Sequence, residues 1–298
     1  MCGIVGIFLK NKNLETKLGE LLTNMLITMT DRGPDSAGIA MYNKVPKEKG
    51  KITIQSSNPD NDFNALEKEL KNIIKNHISF LRKDTHLVIK VDINQHEEIR
   101  NILNQKFPSI RIMSMGENIE IYKEVGLAKD VSKRFSISQT IGTHAIGHTR
   151  MATESAVTTM GAHPFSTTSD QCLVHNGSLS NHNSLRRKLQ REGIRIETLN
   201  DSEVAAAYLT YKMKTGHNLK EAMEESLNEL DGFFTFVVGT QNGFGVVRDP
   251  IACKPAVMAE THEYVAFGSE YRALATLPNI NNAKVWEPEP ATVYFWEH

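Results

Sequence analysis

Cysteine carries the strongest side-chain nucleophile at neutral pH. This sequence places one at its second position, in Met1-Cys2-Gly3-Ile4-Val5-Gly6, ahead of an apolar strand expected over Ile4 to Phe8. Removal of Met1, which the small Cys2 side chain permits, leaves Cys2 with a free α-amino group. That amine titrates near pH ~8. It can therefore take the thiol proton of its own residue, directly or through one water, so that nucleophile and base share one residue. Alone, the stretch reads as packing, because cysteine is commonly buried. Attack on an amide also requires an oxyanion hole, anchors for the charged ends of the substrate and a dry pocket. In His175-Asn176-Gly177, the Asn176 amide and the Gly177 N–H can both aim at a developing oxyanion; alone, Asn-Gly is more often a hairpin turn. Arg150 offers a planar fork for an α-carboxylate, and alone it is a structural ion pair. Asp201, at an expected helix start, suits an α-ammonium, and alone it is an N-cap. An arginine and an aspartate framing a cysteine fit a free amino acid with an amide side chain, such as glutamine.

The bulk properties narrow the field. The 298 residues suffice for one large domain or two small ones, and apolar, charged and aromatic content are ordinary for a globular protein. A net charge of −1 gives no bulk attraction to nucleic acid or acidic membrane. No apolar run approaches the ~18 residues of a bilayer span, and no secretory signal precedes the first strand. Cys2, Cys172 and Cys253 are odd in number and far apart. This argues against a disulfide framework and for a cytoplasmic setting. No cofactor motif is present, and no metal site is expected: His144 and His148 are four apart but lack the glutamate of a zinc-protease helix. His163 and His175 read as structural or supporting residues.

The elements that must position these residues follow from periodicity. Leu14 to Met29 forms an amphipathic helix, stopped by Arg32-Gly33-Pro34. Ile39–Tyr42 is a strand, and Lys51–Gln55 reads as its hairpin partner. Residues 57–118 read as an added α/β unit. It holds one long helix carrying Phe63 through Leu81, a strand at His86–Val91, a second helix through Phe107 and a strand at Ile110–Met113. Ile119–Tyr122 follows as a strand. Gly147–Thr153 is expected to end a strand and enter a loop, and Cys172–His175 to form a short strand running into an Asn176-Gly177 turn. Three helices follow, then strands at Phe233–Val238, Phe244–Val247, Ala256–Ala259, Tyr264–Phe267, Lys284–Trp286 and Thr292–Phe295. Strands, then helices, then strands with short connections predict an α+β fold with antiparallel sheets covered by helices.

Taken together, five segments carry a resemblance: Cys2-Gly3-Ile4-Val5-Gly6, Arg32-Gly33-Pro34-Asp35-Ser36-x-Gly38, Gly147-His148-Thr149-Arg150-x-Ala152-Thr153, His175-Asn176-Gly177 and Asp201-Ser202-Glu203. Arg248-Asp249-Pro250 and Gly268-Ser269-Glu270 match further along. In this order they make the chain resemble a class II glutamine amidotransferase domain of the N-terminal-nucleophile hydrolase superfamily. It is most similar to the amidotransferase domains of amidophosphoribosyltransferase and glutamate synthase, over nearly all of the chain except the insertion. The resemblance implies a four-layer αββα sandwich. It also implies Cys2 as nucleophile, Asn176 and Gly177 as oxyanion hole, Arg150, Thr153 and Asp201 as glutamine binders, and Arg32 as a residue ordering the loop over the site. Met151 departs from the tryptophan of glucosamine-6-phosphate synthase, which bears on how the pocket closes.

The function so implied is a glutaminase subunit that hydrolyses glutamine through a Cys2 thioester. It would deliver ammonia to a separate synthase subunit, glutamate-synthase-like or N-methylglutamate-synthase-like. The expectation of a separate subunit rests on the absence from this sequence of the synthase domain into which related enzymes continue. The 57–118 insertion is either a docking surface for that partner or a solubilising structural unit, and a homo-oligomer is compatible with either. Two alternatives stay open: a glutamine-sensing subunit that has lost turnover, and an amidohydrolase of the same fold acting on another amide.

Overall fold

The computed structural model describes residues 1–152 and 156–298. The first half of the chain runs β1 (Gly3–Leu9), α1 (Leu18–Ile27), β2 (Ser36–Tyr42), β3 (Lys49–Gln55), α2 (Pro59–Ile73), β4 (Ser79–Lys83), β5 (His86–Asp92), α3 (His96–Lys106), β6 (Arg111–Gly116), β7 (Ile119–Val125) and α4 (Ala128–Arg134). The second half runs β8 (His144–Arg150), β9 (Cys172–Leu179), α5 (His182–Arg191), α6 (Asp201–Lys214), α7 (Leu219–Glu229), β10 (Gly232–Gly239), β11 (Gly243–Arg248), β12 (Val257–Glu260), β13 (Tyr264–Gly268), α8 (Tyr271–Leu274), β14 (Lys284–Trp286) and β15 (Thr292–Glu297).

Alternation along the strands builds the layers. In β1, Val5, Ile7 and Leu9 join α1, α4 and α8 in one core, while Ile4 and Phe8 point the other way. There they meet Cys172, Val174, Val237 and Val246 from β9, β10 and β11. Those strands in turn present Leu173, Phe234, Phe236 and Val247 to α5, α6 and α7. Each central strand is thus apolar on both faces, as a strand sandwiched between a sheet and a helix layer must be. The outcome is helix, seven-stranded sheet (β14-β12-β13-β1-β8-β2-β7), four-stranded sheet (β15-β11-β10-β9), helix. The αββα sandwich expected from the sequence is what the chain forms.

A third sheet, β4-β5-β3-β6, carries α2 and α3 on one face around its own core of Ile52, Phe63, Leu70, Ile89 and Leu103. Three segments fold differently from what their local pattern predicts. The segment 51–55 is not the hairpin partner of β2. β2 is flanked by β7 and β8, and β3 pairs β5 and β6 instead. The apolar periodicity from Phe63 to Leu81 is not one helix: α2 ends at Ile73, and Ile78 and Leu81 belong to the approach to β4 and to β4 itself. A spacing compatible with 3.6 residues per turn persisted by chance across the Lys75-Asn76-His77 break. Thirdly, Asn176-Gly177 is not a turn, as described below. The helix α4 was not anticipated. The third sheet is tied to the sandwich by a buried ion pair between Lys51 on β3 and Glu120 on β7, 2.9 Å apart. Lys51 also donates to the carbonyls of Asn43 and Asn118, and Tyr122 donates to Glu120 at 2.6 Å.

Candidate functional site

The site is built at one end of the space between the two sheets. The register pairs Gly3 with Thr149 and Ile4 with His148, so Cys2 reaches the end of β1 opposite Arg150 at the end of β8. By alternation Cys2 shares the inward face of Ile4, Arg150 that of Ile146, and Asn176 that of Cys172 and Val174. Three residues far apart in sequence therefore project into one inter-sheet mouth.

The Cys2 backbone is held from two sides. Its carbonyl accepts from Arg32 Nε at 2.9 Å and from Asn176 Nδ2 at 3.3 Å. Arg32 is itself fixed by Glu270, with Nη1 2.6 Å from Oε1, and the other Glu270 oxygen takes Arg272 Nε at 2.8 Å. Ser269 clamps the next residues of β1: Ile4 N–H donates to Ser269 Oγ, and Ser269 N–H donates to the Ile4 carbonyl, both at 2.9 Å. Ser269 and Glu270 were singled out in the sequence without a role. Their role is to hold the N-terminal strand and its arginine, and only the β1–β13 pairing reveals it. The Cys2 thiol lies 3.9 Å from the Met151 carbonyl. Met1 is exposed, with its amine 3.1 Å from Met151 Sδ.

Asn176 and Gly177 lie in mid-strand. β9 continues to Leu179 and pairs β10 without interruption, Asn176 opposite Thr235 and Gly177 opposite Phe234. The Asn-Gly turn signal is overridden because β10 supplies a partner throughout. Glycine is required for another reason: a Cβ at 177 would lie 2.0 Å from the Phe233 carbonyl and 2.6 Å from His175 Nε2. β9 is also the edge of its sheet. Leu173 N–H donates off that edge to the Phe165 carbonyl, and Leu179 N–H to Asp201 Oδ2, each at 2.9 Å. Gly177 has the same parity, so its N–H also points off the edge rather than into the β10 ladder.

Asp201 is the first residue of α6, and Asn200, not Asp201, is the N-cap, accepting from Ser202 N–H at 2.9 Å. The Asp201 carboxylate is instead anchored to the β9 edge through Leu179 and stands 3.8 Å from His175 Nδ1. His175 faces away from Asn176, toward α6, with Nδ1 2.9 Å from Ser202 Oγ. Its carbonyl is contacted by His148 Nε2 at 3.1 Å, and His148 stacks on His163 at 4.0 Å between ring centroids. Burial pushes His148 down to about 3, and holds His163 and His175 below the usual range, so this buried set stays neutral. Arg150 is buried; its Nη1 reaches the Ala156 carbonyl at 3.4 Å, and its own carbonyl accepts from Asp35 N–H at 3.1 Å. Asp35 Oδ2 in turn takes Ala152 N–H at 2.8 Å. Thr153 lies outside the described residues. Thus Cys2, Arg32 and Asn176 are in direct contact, Arg150 shares their mouth, and Asp201 is tied to the same strand as Asn176.

The three cysteines sort by environment. Cys172 is buried under Tyr42, 3.3 Å from its hydroxyl, and burial pushes its thiol up to about 12. Cys253 is exposed, and Cys2 is half-buried at the inter-sheet mouth. Among the described residues no cluster of His, Cys, Asp and Glu is arranged to hold a metal ion. None of their helices is long and apolar enough to cross a membrane.

Layers and inter-sheet mouth together define an N-terminal-nucleophile hydrolase fold, and comparison with known proteins agrees. A solved glutamine phosphoribosylpyrophosphate amidotransferase from B. subtilis superposes with a TM-score of 0.63 at 20% identity, over 99% of this chain and 47% of that one. A family profile described as a glutamine amidotransferase domain matches residues 148–276. The glutamine amidotransferase-like protein GlxB of Rhizobium meliloti is 62% identical over 299 residues, covering 100% of this chain and 99% of the relative. A putative glutamine amidotransferase of Methanothermobacter thermautotrophicus is 31% identical over 304 residues, covering 99% of each. The chain belongs to the glutamine amidotransferase family.

Proposed function

We propose that the chain is a glutaminase subunit whose nucleophile is Cys2, exposed as the first residue once Met1 is removed. The observation that carries this reading is the meeting of Cys2 with Asn176 and Arg32 at the mouth of the sandwich. The thiolate attacks the side-chain amide carbon of glutamine. The oxyanion is taken by the Asn176 amide and the Gly177 N–H that points off the β9 edge. The α-ammonium formed by accepting the thiol proton gives it to the leaving ammonia, and water hydrolyses the glutamyl thioester to glutamate. Arg150 holds the substrate α-carboxylate, Asp201 its α-ammonium, and Thr153 is proposed as a further contact. Arg32 keeps the Cys2 backbone in place. Replacing Cys2 by alanine abolishes ammonia release under this scheme. Intact mass after treatment with a glutamine-analogue electrophile reports one adduct on a chain lacking Met1. Retained activity in Cys2→Ala refutes the assignment.

We further propose that the ammonia passes to a separate synthase subunit, glutamate-synthase-like or N-methylglutamate-synthase-like. Released into water at neutral pH, ammonia is mostly protonated and no longer nucleophilic, so useful transfer requires a shielded path to an acceptor. The unit at 57–118 is the proposed docking element of this insertion-bearing domain. Co-purification, with glutaminase assayed before and after addition of the bound subunit, tests this. Full activity of the isolated chain with no associated protein counts against it.

A further inference from the structure

The sandwich and the third sheet do not close on each other completely. Between them lies a cavity of about 180 Å³, lined by Arg100 of α3, Ser114 of β6, Lys123 of β7, Thr168, Arg195 and Glu203, among others. Adjoining hollows are lined by Arg111, Arg195 and Glu197. Among the described residues, none of the proposed glutamine contacts lines it. We propose that this cleft is a binding site for a small, doubly charged oxyanion, either a phosphate group or a short dicarboxylate.

The lining matches that chemistry from both sides. Arg100 spends its guanidinium on Glu97 at 2.8 Å, an exposed partner, and on Met115 Sδ at 3.1 Å, a weak acceptor. Arg195 bridges the two bodies, reaching Glu197 at 2.7 Å and Asn104 of α3 at 3.0 Å. Exposed pairs of this kind contribute little, so an oxyanion offered to both guanidiniums displaces them at small cost and binds each in a planar fork. Ser114 is buried, lines the cavity, and its Oγ has no protein partner; a buried hydroxyl left unpaired is costly and a ligand oxygen repairs it. Lys123 also lines the cleft, its Nζ held by the carbonyls of Ala162 and Pro164 at 2.8 and 3.2 Å; burial pulls it down to about 8, so it is mostly protonated at neutral pH. Of the two carboxylates facing the cleft, Glu203 is engaged by the N–H groups of Glu197 and Thr198 at 2.8 and 2.6 Å, and Glu197, partly exposed, turns to solvent when the oxyanion takes its Arg195 partner. Occupancy therefore draws the 195–198 segment toward α3 and tightens the Glu203 hydrogen bonds at the first turn of α6.

Binding is read by calorimetry on the whole protein with inorganic phosphate and, separately, with succinate. Saturable binding of at least one probe in the millimolar range or tighter is expected, and the probe that binds tells phosphate from carboxylate recognition. Arg100→Gln/Arg195→Gln weakens it by at least about tenfold, as loss of charge-assisted hydrogen bonds requires. Ser114→Ala, which keeps the packing, weakens it less but measurably. Arg82→Gln, a distant exposed arginine of the same unit, leaves it unchanged. The bound probe slows hydrogen exchange at the Glu197 and Thr198 amides. No saturable binding of either probe, or binding equal to wild type in both the double variant and Ser114→Ala, overturns the proposal.

Discussion

Glu270 is the sharpest place to perturb the site without touching the proposed chemistry. Its carboxylate bonds Arg32 Nη1 at 2.6 Å, and Arg32 Nε holds the Cys2 carbonyl at 2.9 Å. The Arg32 side chain is 9% exposed and that of Glu270 34%. Breaking a fully buried pair costs about 3–5 kcal/mol and an exposed one about 0–1 kcal/mol; this one-sided case falls at about 1–2 kcal/mol. The guanidinium is the reason, because its Nη2 is already buried without a partner and Glu270→Ala leaves Nη1 in the same condition. Arg32 then relaxes toward solvent, and the Cys2 carbonyl keeps only the longer Asn176 bond. A loosened nucleophile costs rate rather than affinity: a displacement near 1 Å is worth up to ~10²-fold, and with one tether left about tenfold is expected in kcat, or about 1.4 kcal/mol. KM for glutamine stays within about twofold, since the proposed glutamine contacts Arg150 and Asp201 are untouched. Glu270→Gln, which keeps an acceptor and loses the charge, falls between. Ammonia release against glutamine concentration, with urea unfolding of the same preparations, separates the two effects. A variant that loses stability but keeps kcat would refute the claim that this chain of contacts positions Cys2.

Gly177→Ala forces a methyl group to 2.0 Å from the Phe233 carbonyl; the β9–β10 ladder must open, costing about 1–3 kcal/mol and most of the turnover, and wild-type stability by denaturation would contradict the strand geometry. Lys51→Met leaves the buried Glu120 carboxylate without its counter-charge and should cost about 3–5 kcal/mol, whereas Lys51→Met/Glu120→Leu recovers most of it; urea curves of the two variants check this. Burial pushes His86, His144 and His148 each to about 3, below the ordinary 6.5. The unfolded chain therefore binds more protons across that window, so stability is full above about pH 6.5 and falls as pH drops, by about 1.4 kcal/mol per unit for each histidine. Unfolding midpoints that are equal at pH ~7.5 and ~5 would refute it.

Most of the element order, and which residue types were candidates for the site, were legible in the chain because they depend on local pattern. Two-sided apolar strands, a polar helix start at Asp201 and a cysteine at the second position are visible without a fold. Pairing was not. The segment 51–55 has strand character whichever neighbour it takes, and only the third sheet, with Lys51 buried against Glu120, decides that its partners are β5 and β6. Asn176-Gly177 carries a turn signature that β10 overrides, because a ladder on one side satisfies the strand and leaves the Gly177 N–H on the open edge. The helix expected through Leu81 failed because helical spacing cannot mark its own end when strand residues follow in phase. Ser269 and Glu270 had no readable role, since their partners, Ile4 and Arg32, lie more than two hundred residues away. The sequence alone determined which side chains are available and which face of each strand they occupy; the tertiary structure decided which strand ends meet, because register and sheet order are set by long-range packing that no local window contains.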